Sequence, residues 1–235
     1  MNQIIQHSFL PQEWKQDISE YRFFELLERV LGQRLSDSDK QWFAGCTCVE
    51  QFMARLVKSR VFQSLALTGS GSGIGRLGEF YICLRSDMRW EPRAGYDLWG
   101  ALEMHDNIKA GKIEVKTGGP SIRTIGWKVM ITGRQKILKA DILIFIGMKR
   151  TYNPCDGVML AIPRKRLVLE VEKQLLLRPN RIPDIHISKN EYNIQTNQLN
   201  QWYDFKIRNH SDLRNIISEH IHGKFIIIPQ QLSLF

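Results

Sequence analysis

Ile113-Glu114-Val115-Lys116-Thr117 and Asp141-Ile142-Leu143-Ile144-Phe145-Ile146-Gly147 are the stretches on which the fold turns. The second is a continuous apolar run between a polar residue and a glycine, which suits a central strand buried on both faces. In the first, strand geometry sends Glu114 and Lys116 to one side and Val115 into the opposite layer. Outward from these, 96–104 and 112–117 read as two strands joined by the polar turn His105-Asp106-Asn107-Ile108-Lys109-Ala110-Gly111. Further strands are expected at 127–131 and 157–162, and helices at 75–88, 133–139 and 211–222. Strands flanked by helices on both sides give an α/β domain.

Residues 11–63 read as helices. Trp14, Ile18, Tyr21, Phe24, Leu27 and Val30 follow helical spacing, and Leu35-Ser36-Asp37-Ser38 looks like a break with capping residues. Thr68-Gly69-Ser70-Gly71-Ser72-Gly73-Ile74-Gly75 then reads as a linker leading into a helix. Gly73, Gly75 and Gly78 formally satisfy GxGxxG, but a dinucleotide site would want a strand before them, and helix precedes them. The expected organisation is a helical N-terminal subdomain at 1–68, a catalytic domain at 69–228 and a tail at 229–235.

The 235 residues carry 33 Lys and Arg against 24 Asp and Glu, a formal net charge of +9. That balance suits a polyanionic partner such as DNA. Arg123, Lys128, Arg134, Lys136 and Lys139 lead a segment, 120–166, whose only acids are Asp141 and Asp156. These five are the expected phosphate contacts, with a solvated helix face as the competing reading. No apolar run approaches the ~20 residues of a membrane span, and no signal-peptide pattern opens the chain, so a cytoplasmic protein without membrane contact is expected. Cys46, Cys48, Cys83 and Cys155 have neither zinc spacing nor disulfide density. His220 and His222 have no acid or cysteine at ligand spacing and read as helix-end histidines.

The chemistry lies in Asp97 and Glu114-Val115-Lys116. The hairpin folds the strand bearing Asp97 back beside the one bearing Glu114, so the two carboxylates can share a hard divalent cation, with the Val115 carbonyl as a further ligand. Lys116 can position water and steady charge developing on phosphorus. Like-charged carboxylates are costly to bury without a counter-ion, which argues for a metal. A Glu-x-Lys on a solvated strand face is the bland alternative.

The order of a helix with Glu79, Gly95-Tyr96-Asp97, Ile113–Thr117, Gly133-Arg134-Gln135-Lys136 and Ala140–Phe145 resembles the PD-(D/E)XK nuclease superfamily over about 75–162. The resemblance implies a restriction-endonuclease-like fold, with a mixed central sheet flanked by helices, Asp97, Glu114 and Lys116 as catalytic core, and Mg²⁺ as cofactor with Mn²⁺ as substitute. It also implies Glu79 as an accessory acid and Gln135 as the polar residue after the motif. Tyr96 stands where the family often has proline.

The chain ends Gln231-Leu232-Ser233-Leu234-Phe235, which matches the bacterial sliding-clamp-binding pentapeptide in every position. Leu234 and Phe235 would enter an apolar pocket, Leu232 a smaller one, and the Gln231 amide would bond its rim. Ser233 is the spacer, and Pro229 would stop the preceding strand. The alternative is a strand packed on its own domain. Together these features lead to the expectation of a Mg²⁺-dependent DNA endonuclease recruited or stimulated by the clamp. A homodimer is expected if both strands are cut. The alternatives are a sequence-specific restriction endonuclease with an incidental tail, or an inactive DNA- or clamp-binding module.

Overall fold

A computed structural model describes residues 20–43, 45–67, 71–86, 88–93, 95–104, 107–120, 124–128, 139–188, 202 and 204–222. Four helices come first: α1 (Glu20–Leu31), α2 (Asp37–Phe43), α3 (Val49–Lys58) and α4 (Arg60–Leu67). The break expected at 35–38 is a reciprocal cap. Ser36 Oγ accepts from the Asp39 N–H at 3.2 Å, while Asp39 Oδ2 accepts from the Ser36 N–H at 2.9 Å. Helix α5 (Gly71–Ser86) follows. The linker expected through Gly75 is therefore shorter, because Gly71, Gly73 and Gly75 already lie in helix.

Strands β1 (Arg89–Arg93), β2 (Tyr96–Met104), β3 (Asn107–Gly118), β5 (Ile142–Gly147), β6 (Val158–Pro163) and β8 (Lys206–Ile207) form the central sheet in the order β1-β2-β3-β5-β6-β8. Only β3 and β5 pair in parallel; every other neighbouring pair is antiparallel. The sheet is thus mixed and mostly antiparallel, with helices on its faces. The β2–β3 ladder runs to Met104↔Asn107, so residues 107–111, expected as part of the turn, lie in β3. The short strand β1 was not anticipated from sequence. It carries Pro92, which lacks an N–H, and its register slips between Trp90 and Arg93, both suited to a sheet edge.

The strand expected at 127–131 is β4 (Thr124–Lys128), and it does not join the central sheet. It pairs antiparallel with β7 (Asp184–Ser188) in a separate two-stranded sheet. Of the helix expected at 133–139, 133–138 lie outside the described residues, and Lys139 is not helical. Helix α6 (Arg164–Leu177) follows β6, and Gln174 ties its end to β7 by accepting from the Asp184 N–H at 2.7 Å. Helix α7 (Leu213–His222) closes the described chain.

Strand β5 explains the apolar run. Ile142, Ile144 and Ile146 join a core shared with Ile113 and Val115 of β3, with α1, α3 and α5, and with Ile217 and Ile221 of α7. Leu143 and Phe145 join a second core with Leu160, Ile162, Leu167 and Val171 of β6 and α6, and Ile185 of β7. Every residue of β5 is buried. The N-terminal helices enter the first core through aromatic rings. Phe23 of α1 meets Phe52 of α3 edge-on at 4.9 Å, and Phe80 of α5 lies 6.1 Å from Phe52. No described helix is long and apolar enough to cross a membrane.

Helix α5 can lie close on β3 because Gly78 has no side chain: a Cβ there would overlap the Thr117 hydroxyl. At Gly75 of the same helix the nearest neighbour, Glu79 Oε1, is 3.9 Å away. Gly78→Ala should therefore destabilise the fold by about 1–3 kcal/mol through overpacking. Gly75→Ala should stabilise it by about 0.5–1 kcal/mol by removing a flexible residue from a helix. Urea denaturation of the two variants checks the contrast; equal effects would refute the packing account.

Candidate active site

Three elements bring the acids together. Asp97 stands in β2 one residue beyond Leu98↔Ile113, the last paired position of the β2–β3 ladder. Past that point the Val115 N–H donates to Asp97 Oδ2 at 2.7 Å, so a side chain takes the place of a strand carbonyl. Val115 itself is buried in the first core, and its link to Asp97 runs through this N–H. Glu114 is only 6% exposed. Its Oε1 is paired with Lys116 Nζ, the neighbour two residues along the same strand face. This pairing offsets the cost of burying a carboxylate.

Glu79 reaches the same place from α5. Its Oε2 accepts from Trp90 Nε1 at 2.6 Å. The charges of Glu114 and Lys116 both act on it, and Arg76 contributes a further cation. Burial raises its pKa above the usual glutamate range, against the pull of the Trp90 bond and Lys116. Asp97 is pushed further, up to about 7, first by burial and then by the charges of Glu114 and Glu79. The Val115 N–H and Lys116 lower it only in part. Cys83 is fully enclosed near Glu79 and Asp97; burial and then these two charges push its thiol well above the ordinary value. Glu79, Asp97, Glu114 and Lys116 thus form one electrostatic unit with more negative charge than its lysine can balance.

Trp90 was missed in the sequence because it lies on the edge strand that alternation did not reveal. It also carries α1 toward the site: the Arg29 guanidinium sits over its ring, 5.7 Å from the centroid. Lys139 is exposed, and its methylenes pack against Gly95, whose φ of +93° makes the turn two residues before Asp97. Lys128 closes β4 opposite Asp184, and its side chain lies outside the described residues. Arg123, Arg134, Gln135, Lys136 and the tail Gln231, Leu232, Ser233, Leu234 and Phe235 also lie outside the described residues.

The donor set is chemically that of a hard-cation site: carboxylate oxygens, a nearby backbone strand and a surplus of negative charge. A divalent cation beside Asp97 would displace its proton and remove the repulsion that raises its pKa. The residues present therefore fit Mg²⁺ in charge and ligand type. Among the described residues no three His, Cys, Asp or Glu side chains already stand grouped to hold an ion.

The raised pKa of Asp97 links the site to stability. An unfolded aspartate titrates near ~3.9, and this one near about 7 in the fold. The folded state therefore holds the proton more tightly. The stability tied to it is complete below about pH 4 and is lost as pH rises through 7. Asp97→Asn keeps an oxygen acceptor for the Val115 N–H but cannot ionise. It should stabilise the protein by roughly 2 kcal/mol or more near pH 8 and have little effect near pH 4. Thermal melts of both proteins across that range test this; a pH-independent difference would refute it.

Compared with known proteins, the chain matches no family model, no curated protein and no solved structure.

Proposed function

We propose that the chain is a Mg²⁺-dependent DNA endonuclease with a restriction-endonuclease-like fold. The observation that carries this reading is the convergence of Glu79, Asp97 and Glu114 with Lys116 at one half-buried point, where burial and mutual repulsion push Asp97 up to about 7. The order of elements supports the fold: a helix bearing Glu79, the hairpin of β2 and β3, and the parallel neighbour β5.

Asp97 and Glu114, with the Val115 carbonyl, are the residues that would hold the cation. When bound, it supplies charge neutralisation at the scissile phosphate and makes water more acidic. With Glu114 holding the cation, Lys116 would be free to orient the attacking water and balance charge on phosphorus. Glu79, held by Trp90, is placed to accept a proton from water. Lys139 beside the Asp97 turn, with Arg123, Lys128, Arg134 and Lys136, grips the phosphate backbone. Gln135 stands beside those bases in sequence as a further polar contact.

Lys116→Gln removes the ammonium while keeping most of the stem. It should abolish Mg²⁺-dependent cleavage of plasmid DNA and leave the circular dichroism spectrum unchanged. Cleavage surviving in a folded Lys116→Gln protein would defeat the assignment. A specific observation favours a second reading, a binding module without cleavage: Lys116 engages Glu114, and the described residues hold no ready three-donor group. That reading expects DNA binding that weakens steeply with salt, with no cutting in Mg²⁺ or Mn²⁺.

Recruitment by the bacterial sliding clamp rests on the sequence Gln231–Phe235 alone. Such a short tail binds weakly, but tethering to a ring on DNA raises the local enzyme concentration at its substrate. Deleting 231–235 should abolish clamp pull-down while basal cleavage without clamp persists. Undiminished pull-down by the truncated protein would remove the clamp from the proposal.

A further inference from the structure

A second polar centre lies apart from the carboxylates and shares no residue with them. It is a cavity of about 420 Å³ between α5, the loop after β5 and the segment around β8. Lys149, Lys206 and Arg208 line it from two segments, Lys149 from the loop after β5 and the other two from β8 and the residue after it. Its two acids are Glu50 and Asp156, against three cations. Glu50 is ion-paired with Arg85, whose side chain is buried, and Asp156 accepts from the Thr151 hydroxyl at 3.3 Å. Lys149 and Arg208 are exposed, and neither forms an ion pair among the described residues.

The wall adds a neutral polar pair. Tyr81 Oη lies 2.8 Å from His210 Nδ1. The Arg85 guanidinium sits over the Tyr81 ring, 5.6 Å from its centroid. Burial, then the nearby guanidinium, keep the imidazole neutral. Burial raises the Tyr81 pKa, and pushes the adjacent Cys155 thiol up to about 11, so both keep their own protons.

We propose that this cavity binds a phosphomonoester, with Lys149, Lys206 and Arg208 around the phosphate and the His210 imidazole on its wall. A tetrahedral, multiply charged group can use cations arriving from several sides, whereas a planar carboxylate is served by two. The volume exceeds that of a phosphate alone, which leaves room for the group carrying it. Either the 5′ end of a nucleic-acid strand or a free nucleotide presents this chemistry. The assignment does not depend on the carboxylate centre cutting anything.

Calorimetric titration of the full chain tests it with four probes: inorganic phosphate, thymidine 5′-monophosphate, and one oligodeoxynucleotide bearing either a 5′-phosphate or a 5′-hydroxyl. Saturable binding of inorganic phosphate is expected. Replacing Lys149 and Arg208 together by alanine should weaken it at least tenfold, and since both are exposed the melting temperature should hold. Tighter binding of the 5′-phosphorylated strand than of its 5′-hydroxyl twin would assign the cavity to a strand end. Equal strand affinities with tight binding of the mononucleotide would assign it to a free nucleotide. Failure of the wild type to bind any phosphate probe, or undiminished binding by a folded Lys149→Ala, Arg208→Ala protein, would overturn the proposal.

Discussion

The parallel pairing of β3 with β5, from Ile113↔Ile142 to Gly118↔Gly147, is the constraint on which the other layers depend. A parallel pair cannot be joined by a tight turn, so the chain must leave the sheet after β3 and return along one face. That excursion contains β4, which finds β7 instead of the main sheet. Asp141 fixes the return. Its N–H donates to the Lys112 carbonyl at 2.7 Å, and its Oδ2 accepts from the Lys112 N–H at 2.9 Å. Its own carbonyl accepts from the Arg164 N–H at 2.8 Å, which brings in the start of α6. The pair is covered on both faces, so two cores grow from it.

The same strand decides the electrostatics. Because β3 is central, its alternation commits Val115 to the core under α5 and leaves Glu114, buried, and Lys116, half-buried, on the opposite face. Lys116 pairs with Glu114, whereas among the described residues Asp97 and Glu79 have no ion pair and feel Lys116, and for Glu79 also Arg76, only at longer range. A fold selected for stability alone would have little reason to collect three acids around one lysine. Charge concentrated in this way lowers stability at neutral pH.

The N-terminal helices are more than an appendage in physical terms. Phe23 and Phe52 are completely buried against Phe80, so their layer and the sheet share a core. Arg29 covers Trp90, and Trp90 holds Glu79, so α1 acts on the carboxylate cluster through a single intermediary. This chain of contacts links residues from α1, β1 and α5.

Local patterns in the sequence determined a good deal. Strand alternation put Glu114 and Lys116 on one side, the unbroken apolar run marked β5 as doubly buried, and Ser36 marked a helix start, because each depends on near neighbours only. The edge strand β1 escaped notice, since Pro92 and a register slip erase its alternation. The glycines of 71–75 read as linker, since propensity could not show that α5 is held by its packing on β3. The separate β4–β7 sheet and the meeting of Tyr81 with His210, 129 positions apart, depended on long-range closure. So did the approach of Glu79 to Asp97 and Glu114. What the sequence by itself determined was which side chains share a strand face. Only the tertiary structure decided how deeply they are buried and which charges they face, because burial and Coulomb energy depend on the whole surrounding volume and not on spacing along the chain.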